Sequence, residues 1–315
     1  MSISLHQIRS ALLLSLWVIA PWIFGIFYGQ AMFGTLMSFG AYLLVVSYPK
    51  LPKKNPIPVL LQGAGILSVF AIIGINVTLG SLLFFIYAAL GALIQGYAEL
   101  RATYLRLPIA LGVLAYFLSI GQIPSQGSLF YSCAFTLGTC WGVIISYLQL
   151  PRNEAPASAT HIDLRSPAVQ RFSIAMVLVA LIGSVLATLL PSSHPCWLPA
   201  AGLRVMKSER MATWARLKQR GIGTLLGAAV GGLLLGFYEN QLLHVSLVGL
   251  LLFAMLIIGA KRYGYWTFCL TAIALTFNIT ATAGPIILAF DRVLLTICAL
   301  IIAITILLVL PKSTK

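Results

Sequence analysis

An arginine set among apolar residues is the place where this sequence most clearly demands chemistry. Arg292 lies in the run Pro285-Ile286-Ile287-Leu288-Ala289-Phe290-Asp291-Arg292-Val293-Leu294-Leu295, and in lipid an unpaired charge at that depth would cost at least about 3 kcal/mol. Something must compensate it. One reading is a structural pair with Asp291 or Glu239. The other is a cation lining a polar route, whose planar guanidinium offers two parallel hydrogen bonds to a passing carboxylate. Thr296, four residues on, is a candidate hydrogen-bonding neighbour.

A second concentration begins at His194-Pro195-Cys196-Trp197-Leu198-Pro199, passes through Arg204, Lys207, Arg210, Arg216, Lys218 and Arg220, and ends at Gly221-Ile222-Gly223-Thr224-Leu225-Leu226-Gly227. The glycines include pairs at i, i+4, which let another helix approach closely. Alternatively, a helix starting at Gly221 would present bare N–H groups and a partial positive charge to an anion, with Arg220 beside it. The basic run carries Met211, Trp214 and Leu217 at spacings of three. It reads either as an interfacial helix on anionic lipid or as a funnel that concentrates anions. Arg204 and Lys207 are the better candidates for contact with a ligand. Trp197, Tyr97, Tyr263 and Trp266 offer aromatic surfaces, although rings near span ends also form an interfacial belt. Asn76, Gln95 and Asn278 are weaker hydrogen-bonding candidates. Proton coupling would need a titratable group, and Asp291, Glu239, His194 and His244 are the candidates.

Other chemistries find no support. The five cysteines show no C-x-x-C and no clustering with histidine, so neither a metal site nor a disulfide framework is expected. There is no H-E-x-x-H, G-x-S-x-G or Walker A loop, hence no enzyme, no cofactor and no ATP-driven pump is expected.

The elements that must position these residues follow from composition. Of 315 residues, 60% are hydrophobic and 8% charged, against roughly 25% charged in a soluble domain. Apolar stretches recur from Ser10 to Leu310, and in lipid every backbone polar group must be paired within its own segment, so the fold expected is all-α, a polytopic membrane helix bundle. Breaks at Gly, Pro and charge clusters predict spans at 10–29, 31–48, 56–76, 79–96, 107–120, 128–150, 172–190, 196–206, 221–238, 242–260, 263–281 and 286–310. The N-terminus, without a cleavage pattern, reads as a retained first span.

Charge supports this count. The net charge of +14 would suggest nucleic acid in a soluble protein; here it reads as orientation, and no nucleic-acid partner is expected. With both termini in the cytoplasm, nineteen of the twenty Lys and Arg residues face inward and Arg292 alone faces outward. Deleting the short span before Met206 would send ten of them, from Arg204 onward, to the outside, against the positive-inside bias. Six spans on each side of a Pro-, Ala- and Ser-rich stretch divide the chain into 1–150, a cytoplasmic linker 151–171, and 172–315. An even number per half makes the halves parallel. Gly63, Gly65 and Gly74 align with Gly221, Gly223 and Gly232 at an offset of 158, as in a duplicated six-helix unit.

The second half resembles the fusaric acid resistance family. An aromatic-Pro approach to a short helix and the signature R-x-x-G-T-L-x-G match Trp197 to Pro199 and Arg220, Gly223, Thr224, Leu225 and Gly227. Asp291-Arg292 through Thr296 is a second such element. The first half resembles the family only in hydropathy and span lengths, and the large cytoplasmic domain of longer members has no counterpart. The resemblance implies an inner-membrane efflux transporter for small organic anions such as aromatic carboxylic acids. Arg292, Arg220, Gly221, Gly223, Thr224, Arg204, Lys207, Trp197 and Thr296 are then the candidate anion contacts, and Asp291, Glu239 and His194 the proton-coupling candidates. The partners expected are a small organic anion and the lipid bilayer, with homo-oligomerisation left open. A passive anion channel and a non-transporting membrane scaffold or accessory subunit are the alternatives.

Overall fold

The computed structural model describes residues 5–101, 103–153, 165–235, 240–259, 262–277 and 284–309. Twelve helices are found among them: α1 (Leu5–Phe27), α2 (Ala31–Ser47), α3 (Pro56–Asn76), α4 (Leu82–Arg101), α5 (Arg106–Ser119), α6 (Ser128–Gln149), α7 (Pro167–Leu189), α8 (Trp197–Val205), α9 (Arg210–Leu235), α10 (Gln241–Ile258), α11 (Tyr263–Thr276) and α12 (Pro285–Val309). The only extended structure described is a two-residue parallel bridge between β1 (Leu51–Pro52) and β2 (Arg152–Asn153).

Local chemistry explains the boundaries. Prolines open α3 and α7, where the missing N–H is one the helix could not have paired. Asn240 caps α10 by accepting from the Leu243 amide at 3.1 Å, and Gly259 ends that helix at φ 70°, a conformation open to a residue without Cβ. Several boundaries differ from expectation: α1 starts at Leu5 rather than Ser10, and α4 runs to Arg101 rather than Gly96. α9 starts at Arg210 rather than Gly221, and α7 starts at Pro167 inside the expected 151–171 linker. A fall in hydropathy marks the edge of lipid, whereas Arg and Lys are good helix formers whose stems lie along apolar surface.

Seven helices (α1, α3, α4, α6, α7, α10 and α12) are long and apolar enough to cross a bilayer. The protein is a multi-pass membrane protein. α2 and α5 are apolar but shorter, and α9 is interrupted by the cations of its first turns.

Backbones approach through small residues. A Cβ added at Gly40 or Gly138 would run into the facing backbone of α6 or α2, and Gly223, Gly227 and Gly231 form the corresponding stripe of α9 on α11. Such close approach drives helix association where lipid removes the hydrophobic difference. The pairings have a pattern: α1–α2, α2–α6, α3–α5, α3–α6 and α4–α5 in the first half are matched by α7–α8, α8–α12, α9–α11, α9–α12 and α10–α11 in the second. Across the halves, α1–α10 is matched by α4–α7. The individual glycine matches do not follow this pattern, since Gly74 meets Tyr116 of α5 while Gly232 meets Ala289 of α12.

Contacts at one end of the bundle tie the basic loops together. Ser10 of α1 donates to the Gln149 carbonyl of α6 at 2.7 Å, β1 pairs with β2, and Lys207 reaches Glu99 of α4 at 2.7 Å. We call this the basic end.

Candidate functional site

The site is built around a helix too short to span. α8 has nine residues, about 14 Å of rise, yet every residue from Cys196 to Val205 except Arg204 is buried. A helix whose end is buried in the protein must have its terminal carbonyls satisfied. Here Gln95 of α4 donates to the Leu203 carbonyl at 3.1 Å and the Tyr263 hydroxyl to the Arg204 carbonyl at 3.4 Å. At its start, Pro195 and Pro199 lack the N–H groups that would otherwise be orphaned.

Around α8 lie three arginines from three helices. Arg204 ends α8, Arg220 lies ten residues into α9, about 15 Å from its start, and Arg292 lies seven residues into α12, about 10 Å. Arg220 and Arg292 are 1% and 2% exposed. Nε and Nη1 of both, and Nε of Arg204, are buried without a hydrogen-bond partner. Among the described residues no carboxylate pairs with them: Glu99 takes Lys207 and Arg106, and Asp291 accepts from Ser192 at 2.8 Å. Arg204 and Arg292 rest on aromatic rings, as does the nearby Arg216, and Arg220 hydrogen-bonds the Tyr263 side chain. The Arg292 guanidinium lies 4.6 Å from the centroid of Trp197, Arg204 5.2 Å from Trp266, and Arg216 3.9 Å from Tyr263. Such contacts recover about 0.5 to 2 kcal/mol each, less than the cost of burying the charge. Arg220 interacts electrostatically with both Arg292 and Arg204 and lies against Tyr263.

Hydroxyls without partners line the same seam. Thr224 is one turn after Arg220, and Thr267 and Thr271 face Gly223 and Gly227 across the α9–α11 contact; the hydroxyl oxygens of all three are buried and unpaired. In the first half, buried hydroxyls such as Ser68 with Thr139 and Ser119 with Tyr131 pair with each other at 2.9 and 2.8 Å. Excess donor capacity is thus concentrated in the second half.

A partly open cavity lies at the end away from the basic loops, lined by Thr35, Phe39, Gln122, Tyr131, His194 and Trp197 among others. A second cavity adjoins it at Gln122, His194 and Trp197. His194 stacks on Trp197 at 4.7 Å and shares a hydrogen bond with Gln122 at 3.0 Å. Trp197 therefore lies between the cavities and Arg292, which lines neither.

The structure brings Arg204, Arg220, Arg292, Thr224 and Trp197 together and separates others from them. Gly221 and Gly223 are not at a helix start; α9 begins at Arg210, so their N–H groups belong to the interior of the helix, where they are paired with preceding carbonyls. Their role is close packing, most tightly at Gly223, where an added Cβ would sit 2.5 Å from the Gly264 carbonyl oxygen. The basic run is likewise not one interfacial helix: it breaks between α8 and α9, and its last member, Arg220, is buried. Lys207 is held by Glu99; burial draws its ammonium below the ordinary lysine range, and Glu99 opposes that shift. Thr296 donates to its own helix at the Arg292 carbonyl. Asp291, on α12, accepts from Ser192 of the α7–α8 connection, where His194 also lies, His244 sits between Trp22 and the Thr276 carbonyl, and Glu239 and Asn278 lie outside the described residues. Sequence reasoning passed over Thr267, Thr271, Glu99 and Gln122. The spacing of four from Tyr263 through Thr267 to Thr271 places them on one face of α11 and was the available signal.

The family comparison falls on the same half of the molecule as the arginines. Residues 174–306 match the fusaric acid resistance protein-like family. The second half of this chain is similar to that family. The inner membrane protein YccS of Escherichia coli strain K12 is 30% identical over 161 residues, covering 50% of this chain and 20% of YccS. The uncharacterized protein YhfK of the same strain is 30% identical over 123 residues, covering 38% of this chain and 17% of YhfK. The chain spans about a fifth of the length of these relatives. No solved structure matches. The family segment starts within α7 and ends within α12, and so contains α8 and all three arginines of the cluster.

Proposed function

We propose that the protein is an inner-membrane secondary transporter that exports small organic anions such as aromatic carboxylic acids, with both termini in the cytoplasm, twelve membrane-inserted helices and two parallel six-helix halves. One observation carries the reading: Arg220 and Arg292 are buried to 1% and 2% exposure, and among the described residues no carboxylate is paired to either. The aromatic contacts offset only part of the cost of such an arrangement, whereas a passing anion would offset it transiently. The matched helix pairings of the two halves support the parallel repeat, and similarity to the fusaric acid resistance protein-like family supports transport.

In this reading the basic end is cytoplasmic and the cavities beside His194 and Trp197 face outward. A carrier is favoured over an open channel because Trp197 separates those cavities from Arg292. The outward cavity and the inner Glu99–Lys207 pair mark the two ends of an alternating-access route. Arg292→Ala should abolish export of an aromatic acid from cells while leaving the protein abundant in the membrane. Unchanged export from that variant removes the site.

A further inference from the structure

The proposed transport reading leaves open how many charges the ligand carries, and the cluster itself bears on that number. Among the described residues five buried guanidinium nitrogens lack hydrogen-bond partners, namely Nε of Arg204 and Nε and Nη1 of both Arg220 and Arg292. They belong to three side chains on three helices, with Arg220 the common neighbour of the other two. Three unpaired hydroxyls, on Thr224, Thr267 and Thr271, add further donors. A single carboxylate offers about four lone-pair sites on two adjacent oxygens and is matched by the fork of one guanidinium. It would leave a second cation uncompensated at a cost of at least about 3 kcal/mol.

From this surplus of donors over three helices we infer that the site takes a small organic dianion with two separated acid groups, one engaged by Arg292 and the other by Arg204, with Arg220 between them. The two end arginines rest on indoles, Trp197 and Trp266, at 4.6 and 5.2 Å. The rings act as surfaces from which the guanidiniums can turn to an acid group without crossing bare lipid. Because those indoles are part of the resting contact, ligand binding should change tryptophan fluorescence.

The inference rests on the transport reading for its site, and its test separates the two. The full chain, purified in lipid nanodiscs, is titrated at pH 7 with benzoate and with benzene-1,4-dicarboxylate, a pair differing by one acid group, and binding is followed by tryptophan fluorescence and calorimetry. The dicarboxylate should bind at least tenfold more tightly, one per chain. Arg204→Gln and Arg292→Gln should each narrow that ratio, with the variants checked as monodisperse by size exclusion. Benzoate binding as tightly as the dicarboxylate, or two benzoates filling one chain, overturns the inference while leaving an anion transporter standing. Tight dicarboxylate binding in a protein that moves no acid across vesicles upholds the inference and overturns the transport reading.

Discussion

Replacing Arg292 by methionine tests whether the guanidinium serves the ligand or the fold. Arg292 is 2% exposed, has two nitrogens without partners and has Arg220 for a neighbour. Burying that charge in the membrane interior costs about 3 kcal/mol, of which the Trp197 ring at 4.6 Å recovers about 0.5 to 2 kcal/mol. Methionine is also long and flexible but has no donor to satisfy. Arg292→Met should therefore stabilise the ligand-free protein by about 1 to 2 kcal/mol, although it abolishes export. Reversible unfolding in mild detergent, followed by far-ultraviolet circular dichroism without any organic acid, measures this. Adding an aromatic acid should then stabilise the wild type and leave the variant unchanged, because a ligand stabilises only the state that binds it. A variant less stable than the wild type would show that the arginine has a structural partner and refute the reasoning.

Gly227→Ala places a Cβ 2.5 Å from the Phe268 carbonyl oxygen on α11, and should cost about 1 to 3 kcal/mol of overpacking. Gly65→Ala, which meets nothing within 4 Å, should be neutral or gain up to about 1 kcal/mol from helix propensity; equal stabilities in the same unfolding assay would contradict the packing account. Glu99→Gln isolates Lys207, whose side chain is 20% exposed and which burial already holds below its ordinary 10.5. The unfolded chain then binds this proton more strongly, so stability rises as pH climbs through the folded-state value toward 10.5. The variant should lose about 1 to 3 kcal/mol near pH 7 and regain it at alkaline pH, and a loss that does not depend on pH would exclude Lys207 as its cause. For orientation, Met211→Cys, at a side chain 78% exposed, should react with an impermeant thiol reagent only from the cytoplasmic side in a background lacking the native cysteines. Labelling from outside would invert the bundle.

Residue types and their spacing were enough to determine the membrane helices. The expected spans 31–48, 56–76, 107–120, 128–150 and 286–310 fall within a residue of α2, α3, α5, α6 and α12, because lipid obliges each apolar stretch to pair its own backbone. Arg292 stood out for the same reason, since one cation against an apolar background is visible without coordinates. What the order of residues did not reveal is which groups meet. Hydropathy placed the start of α9 at Gly221, although the helix extends back to Arg210, because the edge of lipid and the edge of a helix are set by different forces. Whether Arg292 finds Asp291 or remains unpaired depends on side-chain direction around α12, which adjacency in sequence does not settle. Only the packing of α8, α9, α11 and α12 decided that three arginines from three helices share one seam, with no carboxylate among the described residues paired to them.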